Sequence, residues 1–498
     1  MAAVTITEAL AIEATAIANG WTEEQLLNLA GERLGRAIAG YFPRPGSIVA
    51  YLGKGHNAGD ALVALRVLRD QFGWKISTRN AYPIGECASL TRKKWAELAI
   101  PLALDQPPAW RDLEGSLVLL DGLLGSGASG HLREPLVQLA AEMNSLRRQA
   151  GARIAAVDCP SGIDPDSGQI SSDTVIADVT FMIGNAKRGL LHGHAAAACG
   201  ALAVVPVEPL TASGFGDFEL ISPQTLDCGK EPRPFDFHKG MAGRVAILAG
   251  SKNFSGAAVL AATGALRGGG GLITLFVSAS ARPPIAAKCP PEIIIREFSD
   301  PRELLEFPFD SLVLGCGLGK MTATMAEGLL DLISNSPVPT VIDADALSLI
   351  AQSGKMAILT ARHLLTPHPG EFARLAPDLQ HLPREEAARR FADRVPATLL
   401  FKGCRTIVTG KDQVLWCNAT GSPGMATGGQ GDLLAGVIGA RLAIGDSPVA
   451  AAALSAWICG RSAEIAMCQP NISEESLVPS DVLHFLGAAF RDWKSSHR

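Results

Sequence analysis

Several features that define other protein classes are missing from this 498-residue sequence. Its ten cysteines form no C-x-x-C pair, which argues against a zinc site or a disulfide framework and predicts a reducing, cytoplasmic environment. The first residues, MAAVTITEALAIEA, contain no basic segment followed by an apolar core, so no signal peptide is expected. No apolar run is long enough to span a membrane. The net charge is −5 without a basic block, so neither membranes nor nucleic acids are expected as partners.

The composition points instead to alternating α/β architecture. Aromatic residues make up 5% of the chain, whereas 47% of its residues are hydrophobic and 52 are glycine, which is typical of buried parallel strands joined by tight turns. A single core does not grow to this length, so two to four domains are expected. A stretch rich in Pro, Gly and Ser predicts a linker at residues 211–236 between domains at 1–210 and 237–498.

A glycine-rich segment stands directly before an apolar helical pattern in the second half. Five glycines occur between Gly421 and Gly431, and Asp432 precedes residues with helical spacing. Such a loop lets the backbone approach a ligand, and the helix after it points N–H groups at the same place, which predicts a phosphate site. A carboxylate is costly at an anion site, so Asp432 is interpreted as a base that deprotonates a hydroxyl beside the phosphate. The alternative is a flexible turn that Asp432 merely caps.

In the first half, three predicted strands end in polar turns. The strand Ser47–Leu52 runs into GKGHNAGD and a helix predicted from Ala61, and this turn lacks the G-x-G-x-x-G spacing of a dinucleotide fingerprint. Two later strands end at Asp121 and Asp158, and the alternative is that these carboxylates only cap turns. Because such strand ends meet at one sheet edge, oxygen ligands for a monovalent cation or for substrate hydroxyls are expected there. The candidates are Asn57, Asp60, Asp121, Asp158 and Ser161.

The segments GKGHNAGDA, DGLLGSG and VDCPSGIDPDSG together resemble the YjeF N-terminal family, the NAD(P)H-hydrate epimerases, over roughly residues 5 to 208. The resemblance implies potassium binding by Asn57, Asp121 and Ser161, and a catalytic role for Asp158. It also implies a set of contacts to the damaged nicotinamide nucleotide, namely His56, Asn57, Ala58, Gly59, Asp60, Gly125, Ser126, Gly127, Ala128, Ser129, Gly130, His131 and Asp158.

One turn departs from the family's usual N-N-G-G-D-G. The segment here reads His56-Asn57-Ala58-Gly59-Asp60-Ala61, so alanine replaces two glycines. If either position requires a positive φ, the loop is expected to be strained. His56 is expected to donate the hydrogen bond that an asparagine amide would make.

The second half carries six segments in an order that resembles the NAD(P)H-hydrate dehydratases of the ribokinase-like superfamily: HKGMAGRVAILAGS, GCGLG, DADAL, TPHPGE, KGCRT and NATGSPGMATGGQGD. The resemblance implies contacts to the hydrate by Ala257, Gly317, His368 and Asp432. It implies nucleotide contacts by Lys402, Gly403, Cys404, Arg405, Thr406 and Gly431. Cys316 stands where the family usually has proline, a change expected to be tolerated. Together the two resemblances imply two doubly wound α/β/α domains in tandem, one Rossmann-like and one ribokinase-like.

The two resemblances imply a bifunctional repair enzyme. The first domain would interconvert the R and S forms of NADHX and NADPHX, the hydrated cofactors. The second would phosphorylate the hydroxyl of the S form with ADP or ATP, with Mg²⁺ neutralising the nucleotide, and loss of phosphate would restore NADH or NADPH. Asp432 would act as the base, and the N–H groups from Gly429 to Gly431 would steady the transferred phosphoryl group. A homo-oligomer is expected.

Other interpretations remain open at this stage. The chain is alternatively a small-molecule kinase with a non-catalytic ligand-binding domain, or its first half is an interaction scaffold. Lys402 either pairs with phosphate or only ends a strand, and the prediction for Asp343 and Asp345 is helix capping rather than a role beside magnesium. His368 is expected to contact a ligand because it lies between two prolines. His192 and His194 are expected to be surface residues rather than metal ligands.

Overall fold

The structure is a computed structural model that describes residues 2–99, 104, 106–107, 115–127, 130–211 and 218–495. The chain forms two compact units, Met1–Leu220 and Ile221–Arg498. The division lies inside the stretch predicted as a linker, and Ile221 and Leu226 belong to the core of the second unit. None of the described helices combines the length and the hydropathy needed to cross a membrane.

The first unit is a parallel sheet covered by helices. Its helices are α1 Ile6–Ala18, α2 Glu23–Tyr41, α3 His56–Phe72, α4 Ser89–Leu98, α5 Leu136–Ala150 and α6 Ala196–Cys199. Its strands are β1 Ala3–Val4, β2 Ser47–Leu52, β3 Lys75–Asn80, β4 Leu117–Gly122, β5 Arg153–Val157, β6 Val179–Ile183, β7 Ala186–Lys187, β8 Ala201–Val205 and β9 Phe218–Leu220. Six of them pair in parallel in the order β3-β2-β4-β5-β6-β8, and β1 pairs with β7.

The strand order of this sheet reverses at β2. The chain leaves β2 for β3 on one side and returns to β4 on the other, so the carboxyl ends of β2 and β4 flank a crevice of the kind in which open α/β sheets bind ligands. All six residues of β2 are buried, which explains their continuous apolar character. Two helices that cover this region begin with capping boxes, Thr5 with Glu8 for α1 and Thr22 with Gln25 for α2.

The second unit contains a larger sheet. Its strands are β10 Arg244–Leu248, β11 Leu272–Val277, β12 Ile294–Glu297, β13 Ser311–Leu314, β14 Thr340–Ile342, β15 His363–Leu365, β16 Thr398–Phe401, β17 Thr406–Thr409 and β18 Leu415–Asn418. Its helices are α7 Ser255–Arg267, α8 Arg282–Ala286, α9 Ala323–Asn335, α10 Ala344–Ser353, α11 Pro369–Leu375, α12 Arg384–Arg394, α13 Gln430–Ile444, α14 Pro448–Met467 and α15 Pro479–Ser495. The strands follow the order β12-β11-β10-β13-β14-β15-β16-β17-β18. They are parallel from β12 to β16, and β17 pairs antiparallel with both β16 and β18.

Close backbone contact fixes the helix that carries Asp432. A Cβ atom added at Gly436 of α13 would lie 1.9 Å from the Ala261 carbonyl oxygen of α7, and one at Gly264 would lie 2.4 Å from the Leu433 carbonyl oxygen. Only glycine at both positions lets α7 and α13 approach this closely. The first half of α13 is therefore packed closely against α7.

Candidate active sites

A cavity of about 540 Å³ lies at the switch point of the first unit. Its walls come from the turns after β2 and β4, from Asp158 directly after β5, and from α1 and α2. Seven of the predicted substrate contacts line it: His56, Asn57, Asp60, Gly125, Ser126, Gly127 and Asp158. The structure therefore brings together residues that are separated by as many as a hundred positions in the sequence.

The turn after β2 is shorter than the sequence indicates, because α3 begins at His56 and not at Ala61. Gly55 is its extended N-cap residue, and the Thr91 hydroxyl donates to the Gly55 carbonyl oxygen at 2.9 Å. The first N–H groups of a helix have no partner within it, so this end of α3 offers an anion site beside the cavity. The condition given for strain is not met, since Ala58 and Ala61 are helical and neither has a positive φ.

Some predicted contacts of the first unit do not line the cavity. Ala58 is buried, a Cβ atom added at Gly59 would lie 2.8 Å from Cδ1 of Leu27, and neither Ala58 nor Gly59 is among the residues that line the cavity. Gly130 and His131 also lie outside the cavity lining, and the His131 ring is exposed, 3.9 Å from the Asp173 carboxylate. Ala128 and Ser129 lie outside the described residues.

The three residues predicted to hold potassium meet around the turn after β4. Buried Asp121 accepts hydrogen bonds at 2.7 Å from both the hydroxyl and the backbone N–H of Ser161. Ser161 Oγ accepts from the Leu124 N–H at 3.0 Å, and the Asn57 amide donates to the Leu124 carbonyl oxygen at 2.9 Å. Burial raises the pKa of Asp121 to about 6 although Ser161 donates to it. The Asp121 carboxylate, the Ser161 hydroxyl and the Leu124 carbonyl oxygen are thus joined by hydrogen bonds, and oxygen donors of this kind suit a hard monovalent cation.

Asp158 lines the cavity and has a left-handed backbone conformation, with φ of +67°. Its carboxylate accepts hydrogen bonds from the N–H groups of Ser126 at 3.3 Å and Ile183 at 3.2 Å. It also forms an ion pair with the buried ammonium of Lys187. Burial alone would raise the pKa of Asp158, but Lys187 and these donors bring it below its ordinary value. Asp158 is thus an ionised acceptor that faces the cavity.

The second candidate site surrounds the start of α13. Gly429 has φ of +97° and is its N-cap residue, so Asp432 is the third residue of the helix. Asp432 is half-buried, and its pKa is raised to about 6 by burial and by the neighbouring carboxylates of Asp343 and Asp345. Such a carboxyl group is still mostly ionised at neutral pH, and its proton affinity is higher than that of an ordinary aspartate. Both properties suit a general base.

Cys316 and two carboxylates converge at this site. Within the described part of the chain, Cys316, Asp343 and Asp432 are the one group of such side chains whose potential ligand atoms all lie within 4.8 Å of one another. Cys316 is buried between Gly315 and Gly317, which have positive φ angles of 115° and 65°. Burial raises the pKa of its thiol, which contacts Asp343 at 3.7 Å. His192 and His194 belong to no such group, and His194 bonds instead with the Ser167 carbonyl oxygen.

Lys402 and Asp343 form an ion pair next to Asp432. The Lys402 ammonium donates to Asp343 at 2.8 Å, and the Thr366 hydroxyl donates to the same carboxylate oxygen at 2.7 Å. Asp343 occupies the N-cap position of α10, but its side chain makes no capping hydrogen bond, so the capping prediction for it is wrong. Asp345 accepts from the N–H of Gly319 at 2.8 Å and thereby anchors the GCGLG turn. A Cβ atom at Gly431 would lie 3.3 Å from Lys402 Nζ, so the ammonium reaches the start of α13.

Arg384 of α12 forms hydrogen bonds with the backbone of the predicted nucleotide loop, residues 402–406, and of the residue before it. The guanidinium donates to the carbonyl oxygens of Cys404 at 2.7 Å, Phe401 at 3.0 Å and Lys402 at 3.1 Å. These bonds fix a backbone that includes Gly403 at φ of +148° and Arg405 at φ of +57°. The Lys402 N–H also donates to the Pro367 carbonyl oxygen at 2.9 Å, which joins the loop to the segment before His368.

His368 and the Ala257–Gly317 contact complete the second site. His368 is the N-cap of α11, where its Nδ1 accepts from the Gly370 N–H at 3.0 Å and its Nε2 lies 3.5 Å from a Glu371 carboxylate oxygen, while about half of the side chain stays exposed. A Cβ atom added at Gly317 would lie 2.7 Å from the Ala257 Cβ, so these two predicted contacts are neighbours. The predicted hydrate and nucleotide contacts thus lie on loops and helix starts that follow β10, β13, β15 and β16 and precede α13.

Comparison with known proteins identifies the family to which the chain belongs. Residues 245–481 match the family model of the NAD(P)H-hydrate dehydratases, and residues 23–189 match the model of the YjeF-related protein N-terminus. The bifunctional NAD(P)H-hydrate repair enzyme of Gloeobacter violaceus is 35% identical over 477 residues, with 90% of each chain covered. The enzyme of that name from Coxiella burnetii is 32% identical over 472 residues, which cover 91% of this chain and 93% of that one. The chain belongs to the bifunctional NAD(P)H-hydrate repair enzyme family.

The solved structure of a separate NAD(P)H-hydrate dehydratase is also similar to part of the chain. The ADP/ATP-dependent NAD(P)H-hydrate dehydratase from Bacillus subtilis, co-crystallized with ATP and Mg²⁺, is 26% identical with a TM-score of 0.48. The match covers 55% of this chain and 98% of that chain. The family assignment itself rests on the two family models and on relatives that align along nearly the whole chain.

The sequence does not predict the roles of two side chains that organise the sites, Lys187 and Arg384. Lys187 lies in the segment TFMIGNAKRGLL, and Arg384 lies in the amphipathic helix α12, which carries no motif. The only sequence signal for Lys187 is a lysine placed directly after an apolar strand, where burial forces it to find an acceptor. Arg384 has no comparable signal, because its partners are the backbone carbonyls of a distant loop.

Proposed function

We propose that this protein repairs hydrated nicotinamide cofactors in two steps. The first unit interconverts the R and S forms of NADHX and NADPHX, and the second converts the S form to NADH or NADPH at the expense of ADP or ATP. The observation that carries the proposal is Asp432, a half-buried carboxyl group with a pKa of about 6 in the first turn of α13. A base at a phosphate-binding helix start is what phosphorylation of a hydroxyl requires.

In the second unit, the hydrate is proposed to lie against Ala257, Gly317 and His368, with its hydroxyl at Asp432. The carboxylate takes the hydroxyl proton as the oxygen attacks the terminal phosphoryl group of the nucleotide. Phosphate is a better leaving group than hydroxide, so its loss with a ring proton restores the double bond. The unpaired N–H groups at the start of α13, including that of Gly431, are proposed to stabilise the charge on the transferred group.

The nucleotide is proposed to bind the loop of Lys402, Gly403, Cys404, Arg405 and Thr406, which Arg384 holds in place. Mg²⁺ neutralises the phosphates when it is bound. Asp343 and Asp345 provide the oxygen atoms that Mg²⁺ prefers, whereas the Cys316 thiol does not. Because Lys402 and Thr366 already occupy one oxygen of Asp343, we expect these carboxylates to hold the ion mainly through water. ADP is the proposed donor, with ATP as the alternative.

In the first unit, Asp158 is the proposed catalytic residue, and the N-terminus of α3 is the proposed site of a substrate phosphate. Potassium is proposed at Asn57, Asp121 and Ser161, where a cation compensates a carboxylate that burial makes costly to ionise. The protein is proposed to act in the cytoplasm, which agrees with ten cysteines that all remain free thiols. It is proposed to form a homo-oligomer.

The decisive experiment supplies S-NADHX with ADP or ATP and measures NADH and free phosphate together. The proposal predicts equal amounts of both, with no stable phosphorylated product. A phosphorylated small molecule that accumulates would favour the alternative, a kinase of the ribokinase-like type with a ligand-binding first domain. For the first unit, Asp432→Asn blocks consumption of the S form, so conversion of R-NADHX to S-NADHX is measured directly. Conversion at the spontaneous rate would contradict the epimerase proposal.

A further inference from the structure

One buried lysine organises the cavity of the first unit. Lys187 belongs to β7 and is 4% exposed, yet it lines the cavity. Its ammonium donates to the carbonyl oxygen of Ile183 at 2.7 Å and of Asn185 at 3.3 Å, and its third partner is the Asp158 carboxylate. Three acceptors satisfy all three protons of the ammonium, so the group is fixed in direction as well as charge. A cation held this firmly stabilises Asp158 in its ionised form.

A second carboxyl group of the same cavity has the opposite environment. Asp60, one turn into α3, forms no hydrogen bond or ion pair with a cation among the residues that the structure describes. Burial raises its pKa well above the usual range, and the charges of Asp158 and Glu13 raise it further, against a smaller opposing effect of Lys187. The cavity therefore contains one carboxyl group that a buried cation stabilises in its charged form and one whose pKa is raised by burial and by neighbouring carboxylates.

We propose that Lys187 divides the roles of these two carboxyl groups, so that Asp158 acts as the base and Asp60 as the acid of the interconversion. Lys187 is a positioning residue, because it acts through Asp158 and not on the substrate itself. The inference deepens the function proposed for the first unit and rests on it. Two carboxyl groups whose surroundings shift their pKa values in opposite directions are a recurrent arrangement for acid–base catalysis.

The reaction that follows is balanced without an external reactant. Asp60 donates its proton to the hydroxyl of the hydrate, whose carbon lies next to the ring nitrogen. The carbon–oxygen bond breaks with its electron pair going to oxygen, water leaves, and the nitrogen lone pair forms a carbon–nitrogen double bond. A water molecule then adds to the other face of this carbon while Asp158 takes its proton. The net change is one proton moved from Asp60 to Asp158, and exchange with solvent restores both groups.

The test is the pH dependence of interconversion in the full chain carrying Asp432→Asn, at constant potassium concentration. The acidic limb of this profile reports ionisation of the base. In Lys187→Met, Asp158 stays buried but loses its cation, so the acidic limb is expected to move upward by about one pH unit or more. Lys187→Arg keeps a cation and is expected to restore most of the limb. Other titratable groups around the cavity are Glu13, Glu23, Lys54, His56 and Tyr82, and none of them changes in these variants.

Lys94 provides the matched control. It is 3% exposed, lies on α4 of the same unit, and pairs with Glu24 and Glu97 at 2.8 and 3.0 Å, away from the cavity lining. Lys94→Met is expected to lower the unfolding temperature and to leave the acidic limb in place. If Lys187→Met also leaves the limb in place while folding is intact, Lys187 has only a structural role and the inference is overturned.

Two further measurements separate the outcomes. Asp60→Asn removes the acid and is expected to lower the rate by about 10²-fold or more, whereas an unchanged rate would contradict the role of Asp60. In ¹⁸O-labelled water, each interconversion is expected to introduce one labelled oxygen, and interconversion without label would exclude loss of water. If the Asp432→Asn chain that retains Lys187 does not interconvert the two forms at all, the proposed function of the unit fails. This outcome differs from failure of the Lys187 proposal alone, in which interconversion occurs but Lys187→Met leaves its acidic limb in place.

Discussion

Lys402 Nζ lies 2.8 Å from a carboxylate oxygen of Asp343, and the carboxylates of Asp343 and Asp432 approach within 4.8 Å of each other. Burial alone would raise the pKa of Asp343, but Lys402 and Thr366 lower it below its ordinary value. Asp343 therefore keeps a negative charge, and this charge helps to raise the pKa of Asp432. The pair thus connects the stability of the second unit with the strength of its proposed base.

Replacing Lys402 with methionine is expected to destabilise the second unit by about 3 kcal/mol, because it leaves the Asp343 carboxylate buried without its cation. Denaturant unfolding at pH 7 measures this. Arg390→Met is the control, since Arg390 pairs with Glu386 on an exposed helix face and is expected to contribute less than about 1 kcal/mol. Equal stability of the Lys402 and Arg390 variants would contradict a structural role for the buried pair.

Asp432→Asn is expected to lower turnover of the S form by about 10² to 10⁴-fold while hydrate binding is retained, because the amide fills the same space but cannot accept the proton. Single-turnover kinetics together with equilibrium binding of S-NADHX separate the two effects. Asp446→Asn is a control at the other end of the same helix, where Asp446 pairs with Arg441. Near-normal turnover of the Asp432 variant would show that another group is the base.

The pH dependence of the second reaction follows from the same carboxyl group. The base must be ionised, so turnover is expected to fall as pH decreases through about 6, the pKa of Asp432. The folded-state pKa is raised above the unfolded value, so the cost of ionising Asp432 in the native chain grows as pH rises from the ordinary aspartate pKa and is complete above about pH 6. Asp432→Asn is therefore expected to raise the unfolding temperature at pH 8, with the gain disappearing at pH values near and below the ordinary aspartate pKa. A gain that is independent of pH would point to a cause other than the carboxylate charge.

Potassium is expected to stabilise the first unit through Asp121. Thermal unfolding in potassium chloride should occur at a higher temperature than in choline chloride of equal ionic strength, because a bound ion favours the folded state. Asp121→Asn is expected to abolish the difference, since the amide lacks the negative charge. A difference that persists in this variant would place the ion elsewhere.

Arg384→Met is expected to raise the KM for the nucleotide with little effect on the KM for the hydrate, because it frees the carbonyl groups that fix the loop at residues 402–406. Steady-state kinetics with each substrate varied in turn check this. Arg390→Met on the same helix again serves as the control. An equal effect on both KM values would indicate general damage to the unit.

Most of the strands could be predicted from the sequence, because each is a short apolar run that ends in a polar or glycine-rich turn. The strand Ser47–Leu52, for example, has the same bounds in the structure as in the prediction. The start of α3 could not be predicted in this way, since Gly55 looks like part of a loop, whereas in the structure it is the N-cap residue of the helix. The local sequence does not distinguish a loop glycine from an N-cap glycine. The hydrogen bond from Thr91, on another helix, to the Gly55 carbonyl oxygen forms only in the folded chain.

The candidate sites show the same limit. Residues on the predicted turns, such as Asn57, Asp121 and Ser161, do meet in space, because parallel strands bring their carboxyl ends together. The ion pairs Lys187–Asp158 and Lys402–Asp343 could not be predicted, because their partners are distant in sequence and pair only when burial removes water from both. The roles of the individual site residues stay predictions that the variants above test.

The most direct test of the whole proposal gives the full chain an equal mixture of R- and S-NADHX with ADP or ATP and follows the return of NADH. The chain with Asp158→Asn provides the spontaneous rate of interconversion for comparison. We predict that both forms are recovered as NADH, with one phosphate released for each NADH and with the R form consumed faster than in the Asp158 variant. Recovery that stops at the S form, or that continues only at the spontaneous rate, would contradict the proposed two-step repair.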